Sequence, residues 1–222
     1  MFHDIIELDR EWLLRINHLN APWFDHFFWL VSSPFLPVVL GVGLCFFLFK
    51  EYRWQALWYL LFVGVTVAIA DQISSDILKR CVHRLRPTHD PGLSAMVHIV
   101  HGTGGLYGFV SSHAANTFGV ACFLSLLIRN RSLACILFFW ATLTSYSRMY
   151  LGVHYPLDVL GGIAVGFFAG FAGYGLLLLT GKRVRTISLP VSLTKKSLRS
   201  FGFVAAAAFL MLIVISCFRA IY

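Results

Sequence analysis

Residues 147–158, with the sequence SRMYLGVHYPLD, place an arginine, a histidine and an aspartate between two strongly apolar stretches. Ionisable groups beside hydrocarbon are costly unless they are paired or take part in chemistry, so this segment is a candidate functional site. His154 and Asp158 are four residues apart, and in a helix their side chains would lie one turn from each other. The carboxylate would then fix the imidazole in one tautomer and leave its other ring nitrogen free.

Basic residues form a second candidate cluster at 79–87, KRCVHRLRP, where four of nine positions are lysine or arginine. Asp71 and Asp76 lie just before it, and we interpret them as charge partners of these arginines. A basic cluster beside a membrane usually binds anionic lipids of the cytoplasmic leaflet, but the topology predicted below puts this cluster outside. A substrate phosphate explains it better.

The third cluster lies at 108–119, GFVSSHAANTFG, at the start of an apolar segment. Ser111 or Ser112 is positioned to cap a helix, whose free amide groups and dipole would form an anion site. His113 follows directly. Such a histidine alone is more often a capping or packing residue, whereas the other two clusters favour a catalytic role for it.

The segments that must position these clusters are too apolar for a soluble domain: 58% of the 222 residues are hydrophobic, 13% are charged, and the mean hydropathy is +0.75. A membrane span needs about 20 apolar residues. The candidate spans are 27–49, 54–77, 113–128, 133–149, 156–180 and 201–218. We therefore predict an all-α integral membrane bundle of six helices, with residues 1–222 forming a single domain.

Basic residues concentrate in the loops after the first, third and fifth predicted spans, which assigns these loops to the cytoplasm. They are Lys50, Arg53, Arg129, Arg131, Lys182, Arg183, Arg185, Lys195, Lys196 and Arg199. This topology signal accounts for most of the net charge of +8, so no nucleic-acid partner is indicated. Both termini and all three polar clusters are then predicted on the outer face, and no cleavable signal peptide is visible.

Residues 1–20 precede the first span and carry apolar side chains at three- and four-residue steps, at Ile5, Leu8, Trp12, Ile16 and Leu19. The pattern predicts an amphipathic helix that is too polar to span the membrane. One interpretation is an interfacial helix that guides a lipid toward the site, and the other is a helix packed over the bundle. Periodicity does not separate them.

Two features predict details of the spans. Pro34 and Pro37 should kink the first span. Gly162, Gly166 and Gly170 recur at four-residue steps and predict a close helix contact of the small-xxx-small type.

Together the clusters suit phosphoryl transfer, which needs cations around the transferred group, a nucleophile in line and an acid for the leaving oxygen. They also resemble the signature of the type 2 phosphatidic acid phosphatase (PAP2) superfamily, over roughly residues 79–158. The residues that match its first and third motifs are Lys79, Arg86, Pro87, Ser147, Arg148, His154 and Asp158. The second motif, usually Pro-Ser-Gly-His, reads Val110, Ser111, Ser112, His113, so a turn-forming proline and a flexible glycine are absent.

The resemblance implies that His154 attacks phosphorus to form a phosphohistidine while Asp158 orients it. His113 would protonate the leaving oxygen and then activate water. The phosphoryl oxygens would be bound by Lys79, Arg86, Arg148, Ser111 and Ser112. No metal or other cofactor is required.

The resemblance further implies a lipid phosphatase of the bacterial inner membrane with its site facing the periplasm or exterior. The outward site, and Arg80 and Arg84 as cations for a second phosphate, favour lipid A or undecaprenyl pyrophosphate as the substrate. A phosphatidylglycerophosphate phosphatase and a phosphotransferase acting on a lipid hydroxyl remain alternatives. A transporter or scaffold is disfavoured because no internal repeat is visible, and no protein partner is indicated.

The outer loop, residues 88–110, is expected to shape the head-group pocket. His89, His98 and His101 lie in it. They either contact the substrate or lie on a wet surface, and the usual exposure of loops favours the surface.

Overall fold

A computed structural model describes residues 2–184 and 191–221, and all regular secondary structure in these ranges is helical. The α-helices are α1 Phe2–Asn17, α2 Pro22–Ser32, α3 Phe35–Tyr52, α4 Ala56–Asp71, α5 Lys79–Val82, α6 Ser112–Ile128, α7 Arg131–Tyr150, α8 Pro156–Arg183 and α9 Lys195–Ile221. Short 3₁₀ turns lie at Arg53–Gln55, Pro87–His89 and Ser94–Met96. The prediction of an all-α protein is confirmed.

Among the described residues, three helical stretches are long and apolar enough to cross a membrane: Phe35–Val82, Pro156–Arg183 and Lys195–Arg219. The first of them contains α3 and α4, which pack against each other after a turn at Arg53. The shorter helix α6 is also apolar. The chain is therefore a helical membrane protein.

The first predicted span is not one kinked helix but two helices, α2 and α3. Ser33 separates them, and its hydroxyl donates a hydrogen bond to the Leu30 carbonyl (2.6 Å) while accepting one from the Phe35 amide (3.3 Å). Pro34 has no N–H to continue the α2 ladder, so the helix ends before it. The correction matters because the break faces the candidate site.

Helix α4 leads into α5 through a wider π-helical stretch, Gln72–Leu78. Such stretches are rare and concentrate at functional sites. Here it leads directly to Lys79, the first residue of α5.

Helix α6 lies at the centre of the bundle and packs on α4, α7 and α8. Its contact with α8 depends on the predicted glycines. A Cβ atom on Gly162 would lie 2.5 Å from the Ser111 carbonyl oxygen, and one on Gly166 would lie 2.7 Å from that of Ala115. The predicted close contact of small residues is therefore present, and it holds the first turns of α6 and α8 together.

We expect Gly166→Ala to destabilise the protein by about 1–3 kcal/mol, because the added methyl group would meet backbone rather than a movable side chain. The measurement is the melting temperature in detergent, which should fall by several degrees, with phosphatase activity falling alongside it. Gly175→Ala on the same helix is the matched control. Nothing lies within 4 Å of its Cβ position, so helix propensity should leave it neutral or slightly stabilised. Equal melting temperatures for the two variants would contradict the close contact.

The predicted basic loops meet at one end of the bundle. The Tyr52 hydroxyl donates to the Ser192 carbonyl (2.7 Å), the Thr194 hydroxyl donates to Glu51 (2.7 Å), and the Val191 amide donates to the Leu127 carbonyl (3.1 Å). These contacts join the loop after α3, the end of α6 and the start of α9. Arg185 lies outside the described residues. The three polar clusters lie at the opposite end, where α6 begins.

Helix α1 docks on the bundle through two polar residues and one leucine. Asp9, Leu13 and Asn17 are buried, whereas Leu8 and Trp12 are half exposed (52% and 50%). The Asn17 amide donates to the carbonyls of Tyr150 (2.7 Å) and His98 (2.9 Å). Most of the predicted apolar stripe is therefore exposed, and Asp9, Leu13 and Asn17 form the face that packs on the bundle.

Candidate active site

The three sequence clusters converge at one end of the bundle. Charge interactions link His154 to Lys79, Arg86 and Arg148, and link His113 to His154 and to the same three cations. The side chains come from the start of α5, the loop after it, the start of α6, the end of α7 and the loop before α8. The spacing-based prediction that they share one site therefore agrees with the structure.

The carboxylate of Asp158 lies beside the imidazole of His154, with Oδ2 3.4 Å from Nδ1. Both side chains are buried. The expected origin of this contact, one turn of helix between the two residues, is wrong because α8 begins only at Pro156. The side chain of Asp158 instead folds back toward the chain before the helix, where Oδ2 accepts a hydrogen bond from the Tyr155 amide (3.1 Å).

This arrangement orients His154. Its Nδ1 faces the carboxylate at ion-pair distance without a formed hydrogen bond, which makes Nε2 the candidate nucleophile, and the ring also contacts the Gly108 backbone. Burial, together with the charges of Arg86, Arg148 and Lys79, lowers the pKa of His154 well below its usual value of 6.5. The imidazole is therefore neutral near pH 7, as a nitrogen nucleophile must be.

Lys79 is bound by Ser112, one of the two residues that depart from the PAP2 motif. Its Nζ donates to the Ser112 hydroxyl (2.6 Å), which also lies 2.9 Å from the Ser75 hydroxyl. Ser75 in turn donates to Asp71 (3.0 Å). Asp71 therefore serves this hydroxyl chain rather than an arginine, whereas Asp76 pairs with Arg80 as expected (2.9 Å).

Val110, the other departure, is buried and packs on α8, where a Cβ atom at Gly161 would lie 2.5 Å from its side chain. The segment between Phe109 and α6 is further fixed by the Ser111 amide, which donates to the Asp158 carbonyl (2.9 Å). Packing and this hydrogen bond hold the segment at the position where the usual proline would shape the turn.

Arg86 is anchored by the outer loop. Its Nε donates to the Tyr107 carbonyl (3.2 Å) and its amide to the Leu106 carbonyl (3.0 Å). Gly104 packs directly on the guanidinium, since a Cβ there would lie 2.6 Å from Nη1. The loop therefore contributes to the site by fixing a cation.

Besides His154 Nδ1, two further buried polar atoms of the site lack a hydrogen-bond partner in the described part of the chain: Arg148 Nε and Ser111 Oγ. Buried donors without partners are rare and costly, so each needs an explanation. A bound phosphate would supply acceptor oxygens to both.

A cavity of about 290 Å³ opens at His113, whose side chain is exposed on its wall. A smaller cavity of about 140 Å³ is lined by Arg148 and His101. Ser32 and Ser33, at the break between α2 and α3, line both cavities. Ser32 also accepts a hydrogen bond from Arg148 Nη1. Ser32 is not marked by any motif of the sequence, although the adjoining Ser33 and Pro34 are typical of a helix break.

The two additional cations are paired with carboxylates. Arg80 is exposed and paired with Asp76. Arg84 pairs with Asp9 (2.5 Å) and Asp158 (3.0 Å). The expectation that they hold a second phosphate is not supported by these contacts, because Arg84 is committed to two carboxylates.

The loop histidines differ in their surroundings. His98 Nε2 lies 2.9 Å from Asp25, and His89 Nδ1 lies 3.1 Å from the Thr88 hydroxyl. His101 contacts the Trp29 ring at 4.7 Å between centroids and lines the smaller cavity. His98 is partly exposed and also ties the loop to α2 through Asp25, so its surface role stays a prediction.

The fold and the site define a helical membrane protein whose half-buried cations, two histidines and buried carboxylate suit phosphoryl transfer. The model of the PAP2 superfamily matches residues 54–182, and the chain belongs to this superfamily. It is a membrane lipid phosphatase, in agreement with the prediction.

Three relatives are informative. The chain is 36% identical over 177 residues to a lipid A 4'-phosphatase of Bacteroides thetaiotaomicron, covering 78% of this chain and 79% of that protein. It is also 36% identical over 188 residues to a lipid A 4'-phosphatase of Porphyromonas gingivalis, covering 84% and 80%. The crystal structure of Aquifex aeolicus LpxE superposes with a TM-score of 0.57 at 26% identity, covering 74% of this chain and 93% of that one.

Proposed function

We propose that the chain hydrolyses the 4'-phosphate of lipid A. The observation that carries this proposal is its 36% identity to two lipid A 4'-phosphatases over about four fifths of their length. Between the two substrates favoured by the sequence, these relatives support lipid A over undecaprenyl pyrophosphate.

The reaction proceeds in two steps. Nε2 of His154 attacks phosphorus, the phosphorus–oxygen bond to the sugar breaks, and His113 gives its proton to the leaving oxygen. His113 then takes a proton from water, which attacks phosphorus and releases phosphate from His154. Asp158 holds the imidazole through Nδ1, and the 3.4 Å gap between them closes to a hydrogen bond as positive charge develops on the ring.

The phosphoryl oxygens are bound by Lys79, Arg86 and Arg148, together with Ser111, Ser112 and the free amides at the start of α6. The unpartnered Arg148 Nε and Ser111 Oγ support this assignment. The cations supply the charge stabilisation that a metal would otherwise provide, so the reaction is metal-independent.

The protein crosses the bacterial inner membrane six times, with α2 and α3 together forming the first span. The basic loops lie in the cytoplasm, and the site faces the periplasm. The separation of basic loops and site residues to opposite bundle ends supports this orientation. Helix α1 lies on the outer leaflet with Leu8 and Trp12 toward lipid, which their exposure supports.

The test is phosphate release from bisphosphorylated lipid A by the purified protein in detergent, with mass spectrometry locating the phosphate that remains. We expect loss of the 4'-phosphate only, at the same rate with and without a chelator. The variant Arg80→Ala should retain wild-type activity in this assay, because Arg80 is exposed and paired with Asp76.

Faster release from undecaprenyl pyrophosphate or phosphatidylglycerol phosphate would contradict the substrate. Loss of activity with the chelator would contradict metal independence. If the phosphate removed from lipid A were found on a lipid hydroxyl rather than free in solution, the result would favour the phosphotransferase alternative.

A further inference from the structure

Helix α1 reaches the candidate active site through a buried carboxylate. The Asp9 side chain is 1% exposed. Its Oδ1 accepts a hydrogen bond from the Leu157 amide (2.8 Å) in the first turn of α8, and its Oδ2 accepts one from Arg84 Nη2 (2.5 Å). Asp9 thus occupies the helix end that also carries Asp158. It lies outside residues 54–182, which match the superfamily model.

Arg84 connects Asp9 to Asp158. Its Nη1 donates to Asp158 Oδ1 (3.0 Å), while its guanidinium carbon lies 4.0 Å from the centre of the Tyr155 ring. One guanidinium therefore bridges two buried carboxylates. The same Asp158 carboxylate uses its other oxygen, Oδ2, to face His154 Nδ1.

A second contact docks α1 by a longer route to Asp158. Arg10 Nη2 donates to Asp90 Oδ2 (2.8 Å), and this oxygen also accepts a hydrogen bond from the Tyr155 hydroxyl (2.9 Å). Asp9 and Arg10 are neighbours in sequence, and both anchor the helix on the site end of the bundle. Asp9 shares the partner Arg84 with Asp158, whereas Asp90 and Tyr155 lie between Arg10 and Asp158, so the two residues can be compared directly.

We propose that Asp9 is a positioning residue of the phosphatase reaction, acting through Arg84 to hold the Asp158 carboxylate against His154. The proposal rests on the roles given above to His154 and Asp158. Helix α1 is on this view part of the catalytic framework as well as a membrane contact.

The reason is the sharing of one positive charge. With Asp9 ionised, Arg84 divides its hydrogen bonds between two carboxylates. Without that charge, Arg84 is drawn to Asp158 alone, which weakens the carboxylate as an acceptor for His154 Nδ1–H and shifts it from its place. Hydrogen-bond partners of groups that orient a reactive ligand typically contribute about 10–100-fold when mutated.

The experiment compares Asp9→Asn with Arg10→Gln in the full-length protein in detergent, measuring kcat and KM. The substrates are the lipid that the wild type hydrolyses and p-nitrophenyl phosphate, a soluble phosphomonoester. Asparagine keeps an oxygen for the Leu157 amide, but it places an NH₂ group where Oδ2 accepts from Arg84. It therefore removes both the charge and the hydrogen bond to Arg84. We expect Asp9→Asn to lower kcat about 10–100-fold on both substrates with little change in KM, and Arg10→Gln to lower it less than threefold.

A double-mutant comparison tests the route through Arg84. If Asp9 acts through this arginine, Asp9→Asn should have little further effect in an Arg84→Gln background. The proposal is overturned if the two single variants lose kcat equally, if the loss lies in KM, or if the effects of Asp9→Asn and Arg84→Gln are additive. Melting temperatures identify a variant that merely unfolds, and Asp9→Ser then replaces Asp9→Asn under the same criteria. Failure of wild type on lipid A would instead count against the proposed substrate, since p-nitrophenyl phosphate still reports on Asp9.

Discussion

His154→Gln is expected to lower kcat for phosphate release by about 10⁴-fold or more, because removal of a covalent nucleophile leaves only binding and charge stabilisation. Glutamine retains polarity and approximate size but forms no phosphorylated intermediate. The measurement is phosphate release from ³²P-labelled substrate, together with trapping of the labelled protein by an alkaline quench. Wild type should yield an acid-labile, base-stable label, and the variant should yield none.

His89→Gln is the matched control, since His89 is a partly buried histidine of the outer loop that contacts Thr88. It should retain both turnover and label. If the His154→Gln protein still became labelled, another residue would be the nucleophile, and the mechanism would be contradicted.

The pH dependence gives an independent check on the same residue. Burial and three neighbouring cations lower the pKa of His154 well below 6.5, so the neutral, nucleophilic form persists as the pH falls through the usual histidine range. Formation of the labelled intermediate should therefore not decline through that range because of His154. With p-nitrophenyl phosphate as the substrate, a decline in label formation that is centred near pH 6.5 and persists in His113→Gln would show that the pKa of His154 is not lowered as the structure indicates.

Phosphate chemistry restricts residue types more strongly than the fold does, which is why much of the site could be predicted. Cations, two histidines and a carboxylate are needed whatever elements carry them, and their spacing at 79–158 marked them. The route by which Asp158 reaches His154 was not predictable, because the helical spacing rule assumes a helix that here starts after His154.

Helix α1 shows a different limit of sequence analysis. Periodicity finds the apolar stripe, and in a soluble protein that stripe would face the core. In a membrane protein lipid also accepts apolar side chains, so the stripe can face outward while Asp9 and Asn17 face the bundle. The pairing of Asp9 with Arg84, 75 residues away, left no local signal.

The break between α2 and α3 is more complete than the kink that Pro34 and Pro37 predict. Proline predicted a kink, but the full break also needs Ser33, whose hydroxyl satisfies the amide and carbonyl groups freed beside it. The result is that Ser32 reaches Arg148 and lines both cavities. A single curved helix would have closed this side of the site.

His113→Gln is expected to lower lipid dephosphorylation by about 10²–10⁴-fold, the usual contribution of general acid–base catalysis. His113 lies on the wall of the larger cavity, and the proposed mechanism gives it both proton transfers. A lipid alkoxide needs a proton to leave, so the first step should slow with the natural substrate. Water still needs a base, so the second step should slow with every substrate.

Substrates with different leaving groups separate these two roles of His113. p-Nitrophenolate leaves without protonation, so His113→Gln should still transfer phosphate to His154 and release a burst of about one p-nitrophenol per enzyme. Turnover should then stall with the label retained on the protein, whereas His89→Gln should turn over like wild type. A variant with no burst and no label would mean that His113 acts before phosphorus–nitrogen bond formation, by holding the phosphate rather than by moving protons. Steady turnover with the lipid alone impaired would restrict His113 to the acid step and require another base for water.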